Sequence, residues 1–480
     1  MENKLYKVHM GKAKCALDLG DGSERAEYVN QDYILHTLGR PHRNIGIMYT
    51  YYPKDEQWPA RISEACKDMN ITFQWDYPYD DYFPYKGGIG GTTDGEPFTF
   101  MKDIRKHGQD VTLTLTIDCS LDDEYLRQIA REIKPYGRMK IRINHECHGD
   151  WFTHNQRYSY EEIGKFFVKF ANIIKEEAPN VETIFCAGFS RGEGEPVDHE
   201  EEFKEAYRTA DVWSSDAYLS LHFGWPYDVA EKGNGGRYYC LTVDEFYNNF
   251  KNTAERLKEL NGGVAKPLVT AEFNNDGDVT GPLHQGEAIK RFTEKIKSTN
   301  ADWFNAISMY QFRDRGRLGL EIEDPNNNTV GIPQPLMKDY KEILNDEYFM
   351  PAMDVSEELT LPAKMRWGSA EDSDGIAIKV KLEKSPEFFE ITFEEELSLM
   401  IEINGRWFYK APETKTIDLM SAFFENPVAD NSELTMKIFA TPADGVNDQT
   451  ENDDWNYNYY AEMTKMPDMR IRYEPVGIVK

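Results

Sequence analysis

The stretch "GRMKIRINHECHGDWF", residues 137–152, combines a β-strand pattern with a dense group of polar side chains. Side chains alternate between the two faces of a strand, so this pattern predicts two unlike faces. The apolar face consists of Met139, Ile141 and Ile143. The polar face consists of Arg142, Asn144 and Glu146. An apolar face suits contact with a layer of helices, which leaves Glu146 at the C-terminal end of the strand on the opposite side.

This strand is one of eight β-rich runs that are separated by segments of helical period. The other seven are "NIGIMYT" at 44, "ITFQWDY" at 71, "VTLTLTID" at 111, "VETIFCAGF" at 181, "DVWSSDAY" at 211, "PLVTAEF" at 267 and "FNAISMYQF" at 304. Ser159 with Glu162 and Thr242 with Glu245 have the spacing of a capping box, which favours a helix start at each place. The pattern predicts an α/β fold, a (β/α)8 TIM barrel with "RMKIRINHE" as its fourth strand. A doubly wound open sheet is the alternative.

The pattern changes to period two after residue 350. Asn404-Gly405 lies between two such runs and is a strong hairpin signal. We therefore predict two domains, a catalytic barrel with an N-terminal extension over residues 1–350 and an all-β sandwich over residues 351–480. The sandwich is an accessory domain, either structural or carbohydrate-binding.

Composition limits the partners of the chain. The 480 residues include 84 acidic and 55 basic side chains, a net charge of −29, which disfavours binding to nucleic acid and to anionic membranes. We find neither an apolar segment long enough for membrane insertion nor a signal peptide. We expect a monomer that works outside the cell or on its surface after removal of a signal, with a cytoplasmic protein as the alternative.

Two glutamates occupy equivalent positions at the ends of predicted strands. Glu146 ends the fourth strand, and Glu272 ends the seventh, where alternation groups it with Leu268 and Thr270. The C-terminal ends of barrel strands meet at one rim, so both carboxylates reach the same site. A pair of carboxylates, one protonated and one ionised, is what glycoside hydrolysis requires, without cofactor or metal. Arg142 and Tyr218 are candidate hydrogen-bond donors to the ionised partner, and Asn144, on the strand face of Glu146, is a candidate substrate contact.

"RINHECHGDWF" and "LVTAEF" resemble the fourth- and seventh-strand motifs of retaining glycoside hydrolases of clan A. The histidine before the first glutamate and the Gly and Trp-Phe that follow resemble glycoside hydrolase family 26, a family of β-mannanases, β-1,3-xylanases and mixed-linkage glucanases. The resemblance implies that Glu146 is the acid/base and Glu272 the nucleophile. It also implies that His145 orders the sugar and that Tyr218 hydrogen-bonds the nucleophile. The expected activity is endo-cleavage of a β-linked plant or algal polysaccharide, such as mannan, xylan or β-glucan, by double displacement.

Aromatic side chains lie at or just beyond the predicted strand ends, where they could contact sugar faces. They are Tyr49, Trp75, Trp151, Trp213, Trp225 and Tyr310. After the eighth strand, "RDRGR" places three arginines near the rim. They either form ion pairs with neighbouring acidic residues or bind an acidic sugar.

Two other functions are compatible with the same residues. A metal-dependent hydrolase would use His145 and His148, provided that the chain turns after Glu146. A non-catalytic carbohydrate-binding protein would use the barrel only as a scaffold.

Overall fold

The structure, a computed structural model, describes residues 4–20, 28–55, 83–225, 228–231, 237–314, 316–447 and 457–474. Its centre is a closed barrel of eight parallel strands, which confirms the predicted TIM barrel and excludes an open sheet. In barrel order these strands are Ala16–Gly20, Asn44–Tyr51, Asp110–Ile117, Lys140–Ile143, Glu182–Cys186, Val212–Ser214, Leu268–Asn274 and Ala306–Met309.

The first barrel strand differs from the predicted one. Ala16–Gly20 pairs with the eighth strand and with Asn44–Tyr51, so the run at 44 forms the second strand. The run at 71 lies outside the described residues. Asn44–Tyr51 pairs directly with Asp110–Ile117, so no barrel strand separates the two. The sequence "ALDLG" was missed because it is short and four of its five residues are buried, which leaves no alternation to detect.

Within the described ranges, a helix of eight or more residues follows each barrel strand. The helices are Gln31–Leu38, Phe98–Lys106, Asp123–Ile133, Tyr160–Glu177, Glu200–Thr209, Val243–Leu260, Gln285–Thr299 and Leu336–Leu344. Both predicted capping boxes are present, each with its reciprocal side-chain and backbone hydrogen bonds. Among the described helices, none has the length and apolar character needed to cross a membrane.

The fourth strand ends earlier than the alternation suggests. It covers Lys140–Ile143, and both Asn144 and Glu146 have left-handed backbones, with φ of 46° and 50°. Ile141 and Ile143 pack in the outer core, as expected, and Arg142 faces the barrel interior. The shared face therefore extends no further than Arg142, and Glu146 reaches the rim through a turn.

The seventh strand does not keep the expected alternation. Leu268 packs in the outer core, whereas Val269 lines the interior cavity. The register of its pairing with the eighth strand shifts between Thr270 and Phe273. An irregularity of this kind turns a side chain to the other face, and here it allows Glu272 to line the interior. The predicted grouping of Glu272 with Leu268 is wrong, although Glu272 does point inward.

The C-terminal region consists of two antiparallel sheets that pack as a sandwich. Eight strands form the larger sheet, Leu5–Met10, Met353–Leu359, Ala363–Ser369, Asp372–Leu382, Leu399–Ile403, Arg406–Lys410, Ser432–Ala440 and Tyr459–Met463. Three form the smaller sheet, Phe388–Thr392, Thr416–Asp418 and Asp468–Arg472. Asn404 and Gly405 have φ of 54° and 81° at the tip of the predicted hairpin.

The N-terminal strand crosses the expected division at residue 350. Leu5–Met10 lies between Met353–Leu359 and Asp372–Leu382 and is antiparallel to both. The chain thus starts in the sandwich, enters the barrel and returns. A local pattern cannot reveal this pairing because the partners lie about 350 residues away along the sequence.

Buried polar contacts join the sandwich to the end of the barrel where its strands begin. The carboxylate of Asp110 accepts a 3.0 Å hydrogen bond from the backbone N–H of Ala370. Arg105, fully buried, contacts Asp110 at 3.1 Å and donates to the side chain of Asn447 at 2.6 Å. These contacts lie at the N-terminal ends of the strands, opposite the rim that carries the glutamates.

Candidate active site

Glu272 is a buried carboxylate with two strong donors. Arg142 Nη2 donates to its Oε1 at 2.8 Å, and the hydroxyl of Tyr218 donates to its Oε2 at 2.8 Å. His145 Nε2 lies 3.9 Å from Oε1. Both carboxylate oxygens thus have a fixed donor, and the orientation this imposes suits a nucleophile.

Arg142 is held in place on its other side. Its Nη1 lies 2.7 Å from both carboxylate oxygens of Asp216, and its Nε donates to Thr114 Oγ1 at 2.7 Å. All three partners are buried. One fixed guanidinium therefore joins two carboxylates, and their charges raise the pKa of Arg142 against the effect of its burial.

Glu146 has the opposite environment. Burial, followed by the charges of Asp216 and Glu272, raises the pKa of this carboxyl well above its usual range. Trp151 Nε1 donates to Glu146 Oε2 at 2.7 Å and, together with Arg142, opposes this rise only in part. A carboxyl group with a raised pKa can carry a proton near neutral pH. The site therefore pairs one carboxylate that accepts two hydrogen bonds with one carboxyl whose pKa is raised.

Asn144 lies apart from this pair, contrary to the prediction that it contacts substrate. Its side-chain oxygen accepts from the backbone N–H of Ile117 at 2.7 Å, and its amide donates to the Ile117 carbonyl at 3.1 Å. With its left-handed backbone, Asn144 joins the end of the fourth strand to the third. It shapes the turn that carries Glu146.

His145, Asp216 and Glu272 form one group, among the described residues, with the geometry to hold a metal ion; their ligand atoms lie within 4.8 Å of one another. The Arg142 guanidinium lies within 2.8 Å of both carboxylates in that group. A divalent cation there would face a fixed positive charge, so the donor set does not fit one. His148 belongs to no such group in the described chain; its ring packs edge-on against Trp151, and burial lowers its pKa to about 4.

The predicted aromatic residues have different environments. Trp151 is exposed at the rim beside Glu146. Tyr310 is buried and packs edge-on against Tyr218 at 5.9 Å between ring centroids. Tyr49 and Trp213 are buried in the core, so they cannot contact sugar. Trp75 lies outside the described residues.

Trp225 lies at the rim against Arg317, whose guanidinium is 4.8 Å from the ring centroid. Arg317 in turn donates to Asp276 at 2.9 Å, and Arg313 donates to Glu321 at 3.0 Å. Arg315 lies outside the described residues. The "RDRGR" arginines were expected either to form ion pairs or to bind an acidic sugar, and both described arginines form ion pairs.

Sequence reasoning missed three residues near the glutamates: Asp216, Thr114 and Tyr239. A signal existed for Asp216, because it precedes Tyr218 by two residues in "SSDAY" and thus shares its strand face. Desolvation, followed by the charge of Glu146, raises the pKa of the Tyr239 phenol, although 36% of this residue is exposed. No spacing in the sequence brings Tyr239 to this rim.

No protein-family model matches the chain, and no curated protein matches it. Among solved structures, an α-L-arabinofuranosidase from Thermotoga maritima is 11% identical with a TM-score of 0.45 and covers 92% of this chain and 100% of its own. A modular endo-β-1,4-mannanase from Cellulomonas fimi, of glycoside hydrolase family 26, is 12% identical with a TM-score of 0.43 and covers 88% and 93%. A family 39 glycoside hydrolase from Bacteroides cellulosilyticus is 10% identical with a TM-score of 0.42 and covers 89% and 81%. Similarities with TM-scores this low support no conclusion about this chain. The fold is assigned from the strand pairing of this protein.

Proposed function

We propose that the protein is a retaining glycoside hydrolase in which Glu272 is the nucleophile and Glu146 the acid/base. The observation that carries the proposal is the contrast between these two carboxyl groups at one rim. Glu272 accepts hydrogen bonds from Arg142 and Tyr218, whereas burial and neighbouring negative charge raise the pKa of Glu146. Glycosidases require this division between an ionised and a protonated carboxyl group.

The proposed reaction has two steps. In the first, a carboxylate oxygen of Glu272 bonds to the anomeric carbon, the glycosidic C–O bond breaks, and the departing oxygen takes the proton of Glu146. In the second, Glu146 removes a proton from water. The water oxygen bonds to the anomeric carbon and displaces Glu272, which restores both groups and retains the configuration.

The surrounding residues suit these steps. Arg142 and Tyr218 fix the Glu272 carboxylate by both oxygens, which orients it before the reaction. Once Glu272 is bonded to the sugar, its negative charge is lost, and one of the charges that raise the pKa of Glu146 is removed. Glu146 then ionises more readily, as its role as base in the second step requires.

We further propose that the substrate is a β-linked plant or algal polysaccharide, mannan, xylan or β-glucan, cleaved within the chain. This rests on the resemblance of "RINHECHGDWF" to family 26 and on the exposed Trp151 beside Glu146. A polymer substrate also favours a monomeric protein outside the cell or on its surface.

The test is hydrolysis of mannan, β-1,3- and β-1,4-xylan, mixed-linkage glucan and β-1,3-glucan by wild type, Glu146→Gln and Glu272→Gln. Glu182→Gln is the matched control, because Glu182 starts the fifth strand at the opposite end of the barrel. We expect cleavage of one polymer, unchanged by a chelator. We expect each active-site variant to lose about 10²-fold or more, and the control to keep full activity.

The configuration of the first product distinguishes the mechanism. NMR of the fresh product should show the β-anomer, and azide should restore activity to Glu272→Ala by entering the space of the missing carboxylate. Activity that survives both glutamine substitutions would contradict the catalytic assignment. Loss of activity on chelation would favour the metal-dependent alternative.

A further inference from the structure

A cleft lies on the far side of Tyr218 and is lined by neither glutamate. Its volume is about 470 Å³, within the roughly 300 to 1,000 Å³ that is usual for small-molecule sites. The lining residues come from the loop after the fifth strand, the end of the sixth strand, a short strand at the rim and the following helix. They are Phe189, Arg191, Tyr218, Tyr239, Phe246 and Asn249, together with flanking Ala217, Leu241 and Glu245.

The cleft shares Tyr218 with the candidate active site. Tyr218 lines it and donates to Glu272. Tyr239 also lines it. Glu272 thus has a hydrogen-bond partner in the wall of the cleft. A molecule in the cleft would lie next to the bond that the glutamates act on.

The lining suits a sugar. Phe189, Tyr218 and Tyr239 offer aromatic surface, the kind of flat face on which the C–H side of a sugar ring packs. Asn249 and Arg191 offer donors for hydroxyl groups at the edge. Arg191 has only a loose ion pair, 3.6 Å from Asp198, and three quarters of its side chain is exposed. The carboxylate of Glu245, by contrast, accepts two hydrogen bonds from Thr242 in the helix cap.

We propose that this cleft is a subsite for a sugar unit of the substrate chain next to the cleavage point, with Tyr239 as its central contact. The proposal rests on the proposed glycosidase function and adds to it a requirement for chain length. A substrate too short to enter the cleft loses the contacts with Tyr239 and Arg191. Longer oligosaccharides gain them.

The test compares two substrates that are built from the sugar of the polymer that the wild type hydrolyses. One is the hexasaccharide, and the other is the aryl glycoside of a single unit. We measure kcat/KM for both substrates in wild type, Tyr239→Ala and Arg191→Ala. We expect the loss on the hexasaccharide to exceed the loss on the aryl glycoside by about tenfold for Tyr239→Ala. Arg191→Ala changes an exposed side chain that is not needed for folding, and it should show the same preference with a smaller ratio.

Tyr238→Ala is the matched control, because Tyr238 precedes Tyr239 in the same short strand and points to its other face. It should leave the ratio between the two substrates unchanged. Equal losses on both substrates, or no loss on either, in Tyr239→Ala and Arg191→Ala would overturn the subsite while the catalytic assignment stands. If the wild type hydrolyses none of the five polymers, the proposed function fails, and the subsite fails with it.

Discussion

Trp151 donates a hydrogen bond from its indole nitrogen to Oε2 of Glu146 over 2.7 Å. The donor stabilises the charged form of the carboxyl group, so it acts against the burial and the negative charges that raise the pKa. The same ring is exposed at the rim. Trp151 therefore joins a surface that can contact substrate to the group that is proposed to hold the catalytic proton.

Trp151→Phe should shift the pH dependence of kcat/KM to higher pH. Phenylalanine keeps an aromatic ring but removes the donor, so the pKa of Glu146 rises further. The first step needs Glu146 protonated, and its alkaline limb should move up by about half to one pH unit. An alkaline limb that stays in place would show that the limb reports another group. Trp303→Phe, a substitution of a half-buried tryptophan beside Tyr247, serves as the control.

Asp216→Asn should shift the alkaline limb of kcat/KM to lower pH. Its charge is the second cause, after burial, of the raised pKa of Glu146. Asparagine removes this charge and leaves Arg142 less neutralised, and both changes favour ionised Glu146. We expect the alkaline limb of kcat/KM to fall by about one pH unit. An alkaline limb that stays in place or moves to higher pH would contradict this account.

The sequence was sufficient to predict the barrel and to place Glu146 and Glu272 at one rim, and the reason is local. The runs around them are long, strongly patterned and bounded by capping signals such as Ser159 with Glu162. It was insufficient where the outcome depends on distant pairing or on a backbone irregularity. The register shift before Phe273 turns Glu272 inward, and the left-handed residues Asn144 and Glu146 end the strand early. Neither has a signature in the order of residues.

Arg142→Met should destabilise the fold as well as abolish activity. The substitution leaves the buried carboxylates of Asp216 and Glu272 without their shared cation. Removal of one partner from a buried ion pair costs roughly 3 to 5 kcal/mol. Urea unfolding at pH 7 measures the loss, which should shrink at lower pH as the carboxyl groups take up protons.

Arg127→Met is the matched control for this experiment. Arg127 also contacts two carboxylates, Glu176 and Glu177, but on the outer surface of the helix layer. Ion pairs at exposed positions contribute little to stability, so this variant should lose far less than Arg142→Met. A loss of similar size in both variants would mean that burial of the Arg142 network adds nothing to stability.

The last prediction concerns stability and His107, a buried residue where the barrel meets the sandwich. Its ring contacts Asp103 on one side and Asp32 at 3.0 Å on the other, and it lies 4.1 Å from the ring of Tyr409. Burial lowers the pKa of His107, but the hydrogen bonds to Asp103 and Asp32 more than compensate and raise it to about 9.

Because the folded pKa of His107 lies above the unfolded value of about 6.5, this group stabilises the fold fully below pH 6.5. The contribution is lost as pH rises to about 9. Urea unfolding should therefore show the free-energy difference between wild type and His107→Gln shrinking by roughly 2 to 4 kcal/mol from pH 6 to pH 9. His284→Gln, at a largely exposed histidine, should show no such change, and a constant difference for His107→Gln would mean that the imidazolium makes no contribution to this contact.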